Sequence, residues 1–251
     1  MNNLTNTIAQ QLQTLKDNNV RIYNAGYNKG KSEGGSGETE SPFKYLTSLS
    51  DGFRGVIFPE GYELILNLPF VTQYSFMFYE ASGIEKITFS GNENNSSLIF
   101  NSSFSSLKDV IEINFEQFNA NIAAGNSMFQ DTKKLVSIKG KLNFTNCTTL
   151  DTPFKNCEAL QNIEFEENCL SISVSFYNSS ALSAESMLSI FKGLANVADT
   201  VQELTLPARG KLNSAAQAIV DANTSIADDG TIKIIVNGQE KTGWKLVQSG
   251  Y

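Results

Sequence analysis

The feature that most constrains this chain is a repeat. Phe78 is followed at offsets of six, nine and eleven residues by Ile84, Ile87 and Phe89. Phe104 leads at the same offsets to Val110, Ile113 and Phe115, and Phe154 to Leu160, Ile163 and Phe165; Phe129 leads to Leu135 and Ile138. The four leading Phe positions are 26, 25 and 25 residues apart. A fixed period of roughly 20–50 residues marks units that cannot bury an apolar face alone and must stack on their neighbours. Within each unit an I-x-F or I-x-x strand alternates in and out, so Ile87/Phe89, Ile113/Phe115 and Ile163/Phe165 are predicted to face a core. A second apolar point recurs at Leu98, Ile122, Cys147 and Ile172, which predicts two short strands per coil joined by polar turns. Those turns are rich in Asn and Ser, whose side chains bond to nearby backbone and tolerate left-handed φ. Three segments share F-x-N-[CS]-x-x-L: 144–150, 154–160 and 176–182. Their Phe and Leu are expected in the core, and their Asn and Cys or Ser at the corner.

The flanks divide the rest. Residues 1–25 read as a helix: Met1, Ile8, Leu15 and Ile22 are seven apart, with Leu4, Gln11, Asn18 and Ala25 at the alternate seam position. A heptad stripe with polar seam residues favours self-association, here as a trimeric coiled coil, over a helix lying on the chain's own core. Residues 26–42 are a Gly/Ser/Glu-rich linker. Inside it, Ala25–Ser32 imitates a phosphate loop, but such a loop follows a buried strand and opens a helix, and here the order is reversed. Residues 43–76 read as an N-terminal cap, with strands at Val56–Phe58 and Tyr62–Leu68 about a turn at Pro59–Gly61. Residues 77–182 carry the repeats. Residues 183–251 read as a C-terminal α/β cap, with helices from Ser183 and Asn213, a strand at Glu203–Leu206, and strands at Thr231–Val236 and Trp244–Val247 with an Asn237–Gly238 turn between them.

Composition narrows the chemistry. The net charge of −7 argues against a nucleic-acid partner, which needs clustered Lys and Arg. The 251 residues hold no histidine, so the commonest general base and metal ligand is missing. Cys147, Cys157 and Cys169 have neither metal-site nor disulfide-scaffold spacing and are expected as small buried side chains. The Asp228–Gly230 stretch lacks the further acids of a calcium loop and reads as a turn. No cofactor and no metal are expected. Met1–Asn19 has no basic start and no apolar run, and no stretch reaches the roughly 18 apolar residues of a membrane span. The expectation is a chain made and kept in a cytoplasm unless it leaves by lysis or another route, with no membrane insertion.

The motif F-x-N-C-x-x-L-x-x-I-x-F over Phe154–Phe165 resembles the BspA-like class of bacterial leucine-rich repeats, whose repeats are slightly shorter and carry cysteine where Cys157 stands. The tail, LSAESMLSI over Leu182–Ile190, then LTLP over Leu204–Pro207 and TGWKL over Thr242–Leu246, is similar to the segment that closes many such proteins. The likeness spans Met77–Val247 and departs at an acidic hairpin insertion near 227–239. It implies a mainly β, capped leucine-rich-repeat solenoid. It further implies a secreted adhesin of bacteria or protozoa, or a virion protein of phages that infect gut bacteria.

With the missing leader, this favours a non-enzymatic virion fibre or decoration protein, assembled with other virion proteins in a host cytoplasm and binding a host-surface glycan or protein. A bacterial cell-surface adhesin is the alternative. Candidate surface contacts are Tyr79, Asn95, Tyr177 and Asn178. A polysaccharide depolymerase is the third reading, since glycoside cleavage needs two carboxylates. Its candidates are Glu112, Glu116, Glu164, Glu166 and Glu167, of which Glu112 and Glu164 alternate with inward Ile residues and so belong on an outer face.

Overall fold

A computed structural model describes residues 47–92, 96–228 and 230–248. The predicted helix at 1–25, the linker at 26–42 and the candidate contact Asn95 lie outside the described residues.

The repeat is a ladder of parallel strands. β1 (Ile57–Asn67), β2 (Ser82–Gly91), β4 (Glu112–Phe118), β6 (Ser137–Leu142) and β7 (Asn162–Phe165) form a five-stranded sheet in that order, every pair parallel. Ile87 sits beside Ile113, and Ile113 beside Ile138, so identical faces superpose. The short strands β3 (Leu98–Ile99) and β5 (Ile122–Ala124) pair in parallel as the second contact of their coils. The expected second points at Cys147 and Ile172 fall outside strands. Thr149 bridges Ala124 instead, and β8 (Val174–Ser175) starts two residues beyond Ile172. Six residues separate Asn143 from Thr149 where three separate their partners Asn121 and Ala124, so Cys147 lies in a bulge.

The core is an aromatic stack. Phe78 lies on Phe104 with ring centroids 5.9 Å apart, Phe104 on Phe129 at 5.1 Å and Phe129 on Phe154 at 5.5 Å, all near-parallel. The stack runs past both ends of the periodic sequence. Phe53 lies on Phe78 at 5.0 Å, and Phe176 on Phe154 at 4.8 Å. The leading Phe residues and the Ile, Leu and Phe at their fixed offsets are buried, as are the Phe and Leu of the three F-x-N-[CS]-x-x-L segments, while Ile172 is half-buried.

The turns carrying these rings follow one rule. The residues two before and two after the Phe have positive φ: Asp51 and Gly55, Phe76 and Glu80, Ser102 and Ser106, Ser127 and Asp131, Thr152 and Asn156. Each non-glycine residue there costs roughly 1–2 kcal/mol. The compensation is a hydrogen bond to the next coil from alternate amides, for example Ser102 N–H to Asn126 O at 2.8 Å, Phe104 N–H to Met128 O at 2.9 Å and Ser106 N–H to Gln130 O at 2.9 Å. The residue three after each Phe is buried, and in the later coils it is a donor. Thr132 Oγ1 donates to Phe104 O at 2.5 Å, Cys157 Sγ to Phe129 O at 3.0 Å and Ser179 Oγ to Phe154 O at 2.6 Å. The cysteine of the repeat motif is therefore a small buried side chain that also ties two coils together.

Both ends of the stack are covered. At the start, Phe58 packs on Phe53 and Tyr62 stacks on Phe58 at 5.5 Å. Their strand is continuous where two strands about a turn were expected, because Pro59–Gly61 is absorbed as a register shift between Ile57 and Tyr62. At the other end, α1 (Ala184–Gly193), capped by Ser183 Oγ, lies along β7. Ser186 and Ser189, one turn apart, accept the Ile163 and Phe165 amides at 2.9 Å each. Two hydroxyls thereby stand in for a next strand at an edge that would otherwise be open. Beyond it come β9 (Gln202–Thr205), α2 (Ser214–Ala222), β10 (Thr224–Ile226), β11 (Ile232–Val236), β12 (Gln239–Glu240) and β13 (Trp244–Val247). β13 and β9 extend the β8 ladder in parallel, while β10, β11 and β12 form an antiparallel sheet turning at Asn237 and Gly238. Trp244 Nε1 donates to Ala195 O at 2.6 Å and locks the tail onto the loop after α1.

Candidate functional site

Two outward surfaces of the ladder carry side chains that its hydrogen bonding does not consume. The first is the open face of the five-stranded sheet. Strand alternation sends Glu63, Lys86, Glu112, Ser137 and Asn162 outward in one row across the strands. Lys86 pairs with Glu63 at 3.1 Å and Lys139 with Glu112 at 2.9 Å. These partly exposed pairs are worth at most about 1 kcal/mol each, so the row is charged and ordered without being a strong source of stability.

This face deepens toward α1 into a groove of about 460 Å³. Its floor is Ser137, Lys139 and Gly140 of β6 with Asn162 and Glu164 of β7; its far wall is Glu185, Leu188, Ser189 and Lys192 of α1. A second hollow of about 320 Å³ adjoins it, sharing Glu116, Gly140 and Lys141, and reaches Asn119, Asn121 and Asn143. Gly140 lines both hollows, and only glycine fits there against the neighbouring strand. Its φ is +80°, and a Cβ there would lie 2.7 Å from the Phe115 carbonyl carbon and 2.8 Å from the Glu116 nitrogen. Of the five glutamates singled out from the sequence, Glu116, Glu164 and Glu167 line the larger groove, while Glu112 and Glu166 are engaged by Lys139 and Lys141, the latter at 4.0 Å. Glu167 also acts on Lys241, whose ammonium burial pushes down in pKa while Glu167 opposes the shift; Lys241 Nζ donates to Asn168 Oδ1 at 2.7 Å.

The second surface is the corner formed by the Phe turns. The residues after the stacked Phe form one column: Arg54 and Tyr177 are exposed, Tyr79, Gln130 and Lys155 half-buried, and Ser105 is buried. Tyr79 and Tyr177 thus share a repeat position, but four coils separate them, roughly 19 Å at the strand spacing. Tyr177 is 49% exposed and Tyr79 half-buried. Asn178 is exposed, and its amide donates to Asn156 Oδ1 at 3.0 Å, while the Asn156 amide donates to Asp131 Oδ1 at 2.7 Å. It is the end of a polar ladder along the corner.

Around Tyr79 the corner holds more than the sequence suggested. The Phe76 ring meets it edge-on at 5.8 Å. The Arg54 guanidinium lies over both rings, 5.2 Å from the Phe76 centroid and 5.1 Å from that of Tyr79, and pairs with Asp51 at 3.0 Å. Sequence reasoning missed Phe76, Arg54 and Asp51. The available signal was the column two before each Phe: Asp51, Ser102, Ser127 and Thr152 are small and polar, and Phe76 breaks the series.

Among the described residues, no group of three or more His, Cys, Asp or Glu side chains could hold a metal ion, and no helix is long and apolar enough to cross a membrane. The three cysteines are free and buried. Burial pushes the thiols of Cys147 and Cys169 up to about 11 and that of Cys157 further still.

The fold defines a mainly β solenoid repeat protein built of stacked parallel strands. No family model, no curated protein and no solved structure matches the chain.

Proposed function

We propose that this chain is a non-enzymatic recognition ladder of the BspA-like kind. On this reading it is carried by a phage virion as a fibre or decoration protein and binds a glycan or protein of the host surface. One observation carries the proposal. The backbone, the Phe stack and the coil-to-coil hydrogen bonds repeat, while the outward residues at equivalent positions differ from coil to coil: Arg54, Tyr79, Gln130, Lys155 and Tyr177 in one column alone. A frame that repeats its aromatic stack and coil-to-coil hydrogen bonds while its outer side chains vary separates stability from recognition, as extended repeat surfaces do. Residues 1–25 would gather three copies, and residues 26–42 would tether the ladder to the remainder of the particle. A bacterial surface adhesin is the same ladder on a different carrier; finding genes for tail or capsid proteins beside this one would favour the virion.

Native mass spectrometry of the full chain, together with its retention on a panel of gut-bacterial cells, tests this. The expected result is a trimer retained by a subset of the cells. A strict monomer that none of the cells retains sinks the proposal. The groove beside α1 supports a second reading, because it gathers Glu116, Glu164, Glu167 and Glu185. Release of reducing ends from a polysaccharide, abolished by Glu164→Gln, would replace the non-enzymatic reading with a depolymerase.

A further inference from the structure

We propose that Phe76, Tyr79, Arg54 and Asp51 form a stacking site for neutral hexopyranose rings of a polysaccharide. This rests on the recognition reading above and names its ligand class and location.

The starting point is a residue that breaks its local rule. Phe76 has φ 56°, a left-handed conformation that is an outlier for a bulky side chain. The same turn position is filled elsewhere by Asp51, Ser102, Ser127 and Thr152. Packing does not explain the choice, since Phe76 remains 36% exposed while the Phe two residues later supplies the core ring. Strain held by a ring that packs only on the outer corner, against Tyr79 and Arg54, and keeps 36% of its surface exposed points to a surface role.

The surroundings specify the ligand. Two aromatic rings 5.8 Å apart at 74° offer flat apolar area. The guanidinium that Arg54 lays over both rings fixes their positions. Asp51 pairs with that guanidinium at 3.0 Å, so the cluster carries no net charge yet presents a carboxylate acceptor beside several N–H donors. An apolar face flanked by a neutral donor–acceptor pair suits a sugar ring, which has C–H groups on its faces and hydroxyls round its edge. It does not suit an anionic ligand, because the cation is already neutralised. Phe76 is 36% exposed and Tyr79 half-buried on the outer corner, which fits a ring stacked within a chain better than an enclosed small molecule.

The test is affinity electrophoresis of the full chain in native gels cast with mixed-linkage β-glucan, galactomannan or xylan. Retardation by at least one of the three is expected. Phe76→Asn and Tyr79→Ala should each weaken it about tenfold or more, the usual loss for a removed aromatic anchor. Val201→Ala, which trims an exposed apolar side chain in the loop before β9, should leave it unchanged. Phe76→Asn should also melt no lower than the parent chain, because Asn accepts the left-handed turn more readily. Phe76 and Tyr79 would be overturned as a sugar site by the absence of retardation in all three gels, or by retardation that survives Phe76→Asn. A lower melting temperature for Phe76→Asn would also overturn it, since Phe76 would then be serving packing. Cell retention by the parent chain that persists in Phe76→Asn would leave the recognition ladder standing while this site falls.

Discussion

Phe129→Ala tests whether the aromatic stack is what holds the coils together. Phe129 is fully buried between Phe104 at 5.1 Å and Phe154 at 5.5 Å, near-parallel to both. Truncating a buried Phe to Ala costs about 3–5 kcal/mol through lost transfer energy and the cavity left behind. Each stacked neighbour adds roughly 0.5–1.5 kcal/mol beyond area. With two such neighbours the loss should sit at the top of the range, near 5 kcal/mol. Phe53→Ala is the internal comparison. Phe53 has one near-parallel partner, Phe78 at 5.0 Å, and a tilted contact to Phe58 at 5.9 Å. Its loss should lie near 3 kcal/mol, at the low end for such truncations.

Stability in a solenoid is approximately a sum of coil and interface terms. The interior change weakens two interfaces and the terminal one frays a single end, so the variants should differ in cooperativity as well as in midpoint. Urea unfolding of the full chain followed by far-UV circular dichroism measures both. Phe129→Ala should also lower the slope of the transition, whereas Phe53→Ala should mainly shift it. Equal losses for the two variants, or a loss under about 2 kcal/mol for Phe129→Ala, would refute the stack as the main tie between coils.

Three further outcomes follow from the same contacts. The thiols of Cys147, Cys157 and Cys169 are buried and their pKa values raised, so the folded chain should not react with a disulfide reagent at neutral pH, and all three should react after denaturation. Cys157→Ser should preserve stability because Thr132 and Ser179 already use a hydroxyl at that repeat position, while Cys157→Val should lose about 1 kcal/mol more with the donor to Phe129 O, both read from urea midpoints. Asp109 accepts the Gly83 amide at 2.8 Å and an N–H of Lys134 at 2.9 Å, and these hold its carboxyl below the ordinary value of 3.8. A depressed carboxyl stabilises the fold above the unfolded-state pKa and loses that contribution as pH falls through the folded one. The stability difference between the parent chain and Asp109→Asn should therefore be constant near neutrality and shrink as pH drops below about 3.8, in acid titrations of urea unfolding; a difference that grew there would contradict the contact.

The repeat was legible where burial and spacing coincide. Ile113, Phe115, Ile163 and Phe165 keep fixed offsets from their Phe because every coil must return its strand to the same sheet position. Legibility failed where the backbone changes length between fixed points. Leu64 pairs with Ile87, yet lies eleven residues after Phe53 where Ile87 lies nine after Phe78, so the bulge in β1 hid the first coil from a fixed template. Phe176 follows Phe154 by only 22 residues and so falls off the 25-residue spacing, but its F-x-N-S-x-x-L motif still marked it for the core. The groove beside α1 was half legible. The outward Glu164 follows from strand alternation, but Glu185 and Lys192 reach the groove only because Ser186 and Ser189 dock the helix on the β7 edge. Phe76 is a different kind of case. Its turn, its φ and its hydrogen bond to Asn101 O at 2.9 Å match its siblings, so the backbone gives no reason for an aromatic there. Consistency across local levels is what lets a sequence specify a fold, and a residue that breaks it while adding no ring to the core stack points to selection for something else. In this ladder that argument weighs more for Phe76 than for Tyr79, Tyr177 or Asn178, which sit comfortably in columns that already vary.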